Sequence, residues 1–247
     1  MKPTISPVGD CAISIDFGQV IDPKINRHIR QTIERIQALQ LDGIIELVPT
    51  YCALLVQYDA MLYSYADMCN IIEPTFSESV TNSDNETVTV IEIPTVYGGE
   101  FGPDLGFVAS HNNISEEEVI AIHSGTDYLV YMLGFIPGFT YLGGMDPRIA
   151  TPRLSSPRTL IPAGSVGIAG EQTGTYPSDS PGGWQIIGRT PVTMYDMSKE
   201  KAALLSAGDY VRYVPIDEAE YNRIKALGGD YVPVMYEVEV GELHGYK

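Results

Sequence analysis

Basic residues are scarce in this chain of 247: 15 Lys and Arg stand against 32 Asp and Glu, a formal net charge of −17. Phosphate-driven affinity needs a basic face, so general nucleic-acid binding is excluded, and acidity of this size favours solubility instead. No lysine occurs between Lys24 and Lys199, and no G-x-x-x-x-G-K-[ST] is present, which removes a phosphate-cradling P-loop. Cysteine is equally rare. Cys11, Cys52 and Cys69 are odd in number, widely spaced and free of any C-x-x-C, which predicts reduced, buried thiols rather than disulfides or zinc. With no H-E-x-x-H and no closely spaced His/Cys set, no metal site is expected. No apolar run approaches the roughly 20 residues that span a bilayer, and the opening MKPTISPVGD lacks the apolar core of a signal peptide. The expected location is cytoplasmic, with no membrane partner.

Glycine and proline are plentiful where the rest is sparse. Between Gly134 and Pro191, 19 of 58 residues are one or the other. Glycine permits positive φ and close approach of the backbone, while proline fixes φ, so this window reads as rigid turns between short strands. Disordered linkers of that composition rarely also carry Phe135, Phe139, Tyr141, Tyr176 and Trp184. The window holds Arg148, Arg153, Arg158 and Arg189 against Asp146, Glu171 and Asp179, a net +1 inside an acidic protein. Four guanidiniums without a lysine suit bidentate recognition of a carboxylate or small anion.

Along the chain, Cys11–Phe17 alternates as a strand, and Asp22-Pro23 supplies an N-cap and an N1 proline for a helix over about 23–40. Its Ile25, Ile29, Ile33, Ile36 and Leu39 form one apolar stripe. Strands over 44–48 and 51–58 and a helix over 59–72 complete β-α-β-β-α, most of a ferredoxin-like split βαβ unit. The polar stretch 73–86 is the expected boundary between domains. A strand over 87–93 ends at Pro94, and Ser115 with Glu118 forms a capping box for a helix of about 115–123, closed by Gly125. A further strand over 127–133 leads into the Gly/Pro window, which has the turn density of a compact barrel or sandwich. The fold class is therefore α+β. It comprises a ferredoxin-like domain over 1–80, a β-rich domain over 87–216, and a short helix with an acidic tail over 217–247.

Ser165 lies in Gly164-Ser165-Val166-Gly167, which is not G-x-S-x-G and is not followed by the helix of a nucleophile elbow. His123 is the best-placed histidine, at the end of the expected helix, where it either complements the dipole or meets a substrate. Trp184, after two glycines, serves either as a core indole or as an anchor between subunits.

The motifs YGGEFGPDL (Tyr97–Leu105), LGFIPGFTYLGGMDPRIATPR (Leu133–Arg153), PAGSVGIAGEQTGTYP (Pro162–Pro177), SPGGWQIIGRTP (Ser180–Pro191) and SAGDYVRY (Ser206–Tyr213), with Gly9-Asp10 and His123, span nearly the whole chain. In them the chain resembles the family of B-type subunits of prokaryotic 5-oxoprolinase, also called KipI-like or allophanate hydrolase subunit 1. Thr140 stands where that family is expected to carry proline. The resemblance implies an N-terminal ferredoxin-like domain and a C-terminal cyclophilin-like β-barrel. It also implies a C-type partner related to allophanate hydrolase subunit 2 and an A-type partner of the lactam-utilisation group. Together these subunits open 5-oxo-L-proline to L-glutamate at the expense of ATP, which this chain, lacking a P-loop, would share with its partners. The catalytic candidates are then His123, Arg153, Ser165 and Gln172. Arg148, Arg153, Arg158 or Arg189 would hold a carboxylate or phosphate, Gly164 to Gly170, including Gly167, would offer N–H groups to an oxyanion, and Tyr176, Phe139 and Trp184 would contact substrate. Three other functions are implied within the same kinship: a regulator blocking autophosphorylation of a sporulation histidine kinase, the carboxyltransferase part of a urea carboxylase, and, by fold analogy alone, a prolyl isomerase.

Overall fold

The structure, a computed structural model, describes residues 3–76 and 86–245. The chain divides into two compact units, Met1–Asn82 and Ser83–Lys247.

In the first unit Asp22 accepts from the Lys24 amide and Pro23 occupies the first turn, so helix α1 (Pro23–Ala38) begins where its capping chemistry dictates. Strands β1 (Thr4–Pro7), β2 (Ala12–Asp16), β3 (Ile44–Pro49) and β4 (Ala53–Tyr58) form an antiparallel sheet in the order β1-β2-β4-β3. Strand β4 thus lies between β2 and β3, the two strands that α1 connects. Ile13, Ile15, Leu54 and Val56 face Ile29 and Ile36 of α1 and Met68 and Ile72 of α2 (Tyr65–Ile72) in one buried cluster. Helix α2 starts six residues later than the sequence suggests, because Ser64 and Asp67 cap each other's backbone and thereby fix the first turn. The boundary expected over 73–86 also needs correction at its start: Glu73–Phe76 forms a 3-10 turn that buries Phe76 in this core. Residues 77–85 of that stretch lie outside the described residues.

The second unit is built on β5 (Thr87–Tyr97), which does not end at Pro94. Strand β14 (Met235–Glu239) pairs with β5 as far as Ile91, and β12 (Gln185–Arg189) pairs only at Val96 and Tyr97. The missing N–H of Pro94 falls in the gap between them, where no ladder bond is lost. On the other edge β5 runs parallel to β13 (Tyr210–Pro215). With β6 (Asp127–Leu133), β7 (Thr140–Gly143), β9 (Ser165–Ala169) and β10 (Gln172–Thr175), the main sheet has the order β10-β9-β12-β5-β13-β6-β7. Its two ends approach each other: a Cβ on Gly174 of β10 would lie 3.3 Å from the Thr140 carbonyl oxygen of β7. The result is a nearly closed barrel. Val130, Val166, Ile168, Ile187 and Val211 fill its interior, together with residues of α3 (Leu105–Asn112) and α4 (Glu116–Ser124).

The expected capping box Ser115/Glu118 is present on α4, whereas α3 has no side-chain cap and carries no such signal. The end of the chain is not a loose acidic tail. After α5 (Glu218–Leu227), β14 completes the edge of β5, and the His244 amide donates to the buried Asp127 carboxylate at 2.7 Å. Those residues belong to the barrel unit rather than to a separate segment. Among the described residues no helix is long and apolar enough to cross a membrane. The three cysteines are unpaired, but none is buried as expected: Cys11 is exposed, and Cys52 and Cys69 are half-buried.

Candidate functional site

The Gly/Pro window builds a second apolar cluster outside the barrel interior. Alternation along β9 and β12 sends Val166, Ile168 and Ile187 inward and Ala169 and Ile186 outward. A two-stranded ribbon of β8 (Arg158–Ile161) and β11 (Ser180–Gly182) accompanies that outer face. There Phe139, Tyr176 and Trp184 meet edge to face, with Phe139 and Trp184 centroids 5.7 Å apart at 87° and Phe139 and Tyr176 5.8 Å apart at 69°. These rings floor a cavity of about 200 Å3. Phe135, Tyr141 and Arg153 form part of its wall, and Pro181, Gly182 and Gly183 complete it.

Several details indicate that this hollow is constructed. Ile136 donates its amide to the Gly134 carbonyl at 2.9 Å, a three-residue γ-turn that holds Phe135 at φ +69°. Positive φ on an aromatic residue is a strained conformation, and Phe135 is nonetheless 66% exposed at the rim. Gly182 is needed sterically, since a Cβ there would collide with the Tyr176 hydroxyl oxygen. Burial pushes the Tyr176 phenol up to about 12, with Arg153 and Arg158 pulling the other way, so it stays a neutral donor at physiological pH. The loop before α3 braces the back of the wall. Asp104 accepts from Arg158 Nη2 at 2.7 Å and from the Ile186 amide at 2.6 Å, while Arg158 Nη1 donates to the Trp184 carbonyl at 3.2 Å.

The structure thus brings together Phe139, Arg153, Tyr176 and Trp184 from the sequence candidates and redistributes the others. His123 lies in the barrel interior, fully buried, with Nδ1 against the Tyr97 hydroxyl at 2.7 Å and Nε2 against Thr173 Oγ1 at 2.8 Å. Desolvation lowers its pKa to about 3, so the imidazole is neutral, and it does not line the aromatic cavity. Ser165 is equally buried, and its Oγ has no partner among the described residues; without a base beside it, it is no activated nucleophile. The oxyanion site expected over Gly164–Gly170 is spent on main-chain bonds: Gly164 donates to the Tyr176 carbonyl at 2.7 Å and Gly170 to that of Thr151 at 2.7 Å. Gly167 is buried within β9. Gln172 opens β10, half-buried.

Of the arginines, Arg148 is 68% exposed and bonded to both oxygens of Asp146, which leaves it on the solvent side. Arg158 is engaged with Asp104, and the Arg189 guanidinium carbon lies 5.9 Å from the centre of the Phe101 ring. Of the four, Arg153 alone lines the cavity. Sequence reasoning missed Phe135, Gly182 and Asp104; the φ of Phe135 and the long-range bonds of Asp104 leave no local pattern. Among the described residues no group of three or more His, Cys, Asp or Glu side chains is placed to hold a metal.

Residues 3–205 match the family described as carboxyltransferase domain, subdomain C and D. The chain is 46% identical to the B-type subunit of 5-oxoprolinase from Bacillus subtilis over 232 residues, covering 90% of this chain and 96% of that one. A solved structure of a conserved uncharacterized protein of Pyrococcus horikoshii is 48% identical, covering 88% of this chain and all of that one, with a TM-score of 0.53. The solved protein TTHA0988 is 34% identical with a TM-score of 0.74, covering 84% of this chain and 40% of that longer one. With near full-length agreement to a curated relative and a domain match over most of its residues, the chain belongs to the family of B-type 5-oxoprolinase subunits within the carboxyltransferase C/D domain group.

Proposed function

We propose that this protein is one component of an ATP-dependent 5-oxoprolinase and that its aromatic cavity receives 5-oxo-L-proline, in a site completed by a C-type partner. The observation that carries the proposal is Arg153 beside Phe139, Tyr176 and Trp184 around about 200 Å3 of space. A five-membered lactam with one carboxylate has a flat apolar edge for the rings, a carboxylate for the guanidinium and an amide for the neutral Tyr176 hydroxyl. The cavity is smaller than a typical drug-sized pocket and suits a ligand of few atoms.

Among the described residues, the cavity lining offers a nucleotide no cradle of lysine or free glycine amides. The glycine-rich turn around Gly164 has its amides engaged, and no lysine lines the wall. ATP chemistry is therefore assigned to the C-type and A-type partners, and this chain's part is to bind and orient the lactam while excluding water. In this reading the two units are a ferredoxin-like domain and a cyclophilin-like barrel, the protein is cytoplasmic, and it is inactive alone. The test is glutamate release from 5-oxo-L-proline and ATP by the three proteins together, against mixtures lacking this one. Activity only in its presence supports the proposal; unchanged activity on omission refutes it. The carboxyltransferase description of the matched domain favours one second reading, a component of a urea carboxylase, which biotin dependence would reveal.

A further inference from the structure

Asp104 does not line the cavity, but it is bonded to Arg158 and to the backbone of Ile186, beside Trp184 of its floor. Arg153 lines the cavity, and Arg158 stands behind it, its Nη1 donating to the carbonyl of the cavity residue Trp184 at 3.2 Å. Arg158 is neutralised by a 2.7 Å bond to Asp104 that is largely withdrawn from solvent, with side chains 32% and 13% exposed. The other Asp104 oxygen is fixed by the Ile186 amide at 2.6 Å, and the Asp104 amide donates to the Ile186 carbonyl at 2.9 Å. Its carboxylate is therefore held in place rather than free to swing away. Among the described residues, Arg153 is the cation at the cavity that no carboxylate pairs.

We propose that Asp104 is a specificity-determining residue, setting the cavity at a single positive charge so that it accepts ligands with one carboxylate and disfavours those with two. This rests on the functional reading above and deepens it. Ring opening of 5-oxo-L-proline adds water and creates both a second carboxylate and an ammonium group, so net charge is unchanged. The product nonetheless brings a carboxylate that meets no second cation and an ammonium that meets no acid among the lining residues; a cavity with one guanidinium therefore holds the substrate and releases the product. Asp104 touches neither; it acts through Arg158.

Trp184 is the only tryptophan of the chain and lines the cavity, so its emission reports occupancy of the full-length protein without background. Cyclopentanecarboxylate and glutarate serve as plain one- and two-carboxylate probes, beside 5-oxo-L-proline itself. In D104N the unpaired Arg158 adds a second cation, and the ratio of glutarate to cyclopentanecarboxylate affinity should rise by about tenfold. In R158Q the unpaired Asp104 opposes Arg153, and the same ratio should fall below that of the unmodified protein. A wall that merely loosens would weaken both ligands in both variants with the ratio unchanged. Ratios that move in opposite directions support the proposal; a ratio that stays constant, or moves the same way in both, overturns it. Should either variant fail to fold, the other alone decides by the sign of its shift, and D104E, which keeps the charge, should keep the original ratio. Failure of the unmodified protein to respond to 5-oxo-L-proline while it binds cyclopentanecarboxylate would sink the functional reading alone. Failure to respond to any probe would sink both. R223A, which removes a surface pair with Glu220, is the unchanged control.

Discussion

Single residues carry the sharpest consequences of this geometry. A Cβ added at Gly182 would collide with the Tyr176 hydroxyl oxygen and stand 2.8 Å from Ile161 Cδ1, so Gly182→Ala must push the phenol into the cavity. Overpacking of this kind typically costs about 1–3 kcal/mol, and Trp184 emission should no longer respond to ligand; a variant that binds normally would contradict the assigned wall. His123 makes a different prediction. Its folded pKa lies near 3, below the ordinary imidazole value, so the unfolded chain takes up a proton first as pH falls. The stability it contributes is complete above about pH 6.5 and is lost towards pH 3, with a slope approaching roughly 1.4 kcal/mol per unit. His123→Gln, which cannot titrate, should show a shallower acid loss of Tm than the unmodified protein; parallel curves would refute the buried neutral state.

At the scale of elements, the first helix, the capping box of α4 and most strands were legible because their signals are local: Asp22-Pro23, Ser115 with Glu118, and alternation in β2 and at the start of β5. What stayed hidden depends on distant partners. Strand β14 reads as an acidic tail because Glu237 and Glu239 alternate with only modest apolar residues, and its ladder comes from β5, more than a hundred residues earlier. Pro94 looked like a strand end, and only the gap between β14 and β12 makes it harmless. The latch on the chain's end is Asp127, whose side chain is wholly buried, bonded at both oxygens to Arg212 at 2.6 Å and accepting from the His244 amide. Asp127→Ala should cost toward the lower end of about 3–5 kcal/mol, because Arg212 keeps partial solvent access, and should accelerate amide exchange around Val238. Unaltered exchange there would show that β14 is held by its ladder alone.

For the molecule as a whole, composition marked a segment without separating the residues that build its cavity. The Gly/Pro window builds the aromatic cavity, and four of the candidates, Phe139, Arg153, Tyr176 and Trp184, meet there. Residue type alone could not separate Arg153 from Arg148 and Arg158, because that distinction lies in Asp146 and Asp104 occupying the other two guanidiniums. Nor could it show that His123 and Ser165 sit in closed interiors, since burial is a property of the finished barrel. Among the described residues of this acidic chain, a small aromatic hollow is thus lined by a single arginine.

The most direct test of that central claim is the dependence of glutamate release on 5-oxo-L-proline concentration, measured in the assembled three-component enzyme with Arg153→Ala in place of the unmodified chain. A charge-assisted contact of about 1.5–3 kcal/mol predicts a KM raised roughly 10- to 100-fold with the assembly intact. A KM left unchanged would mean that the carboxylate is held elsewhere and that the cavity is not the substrate's site.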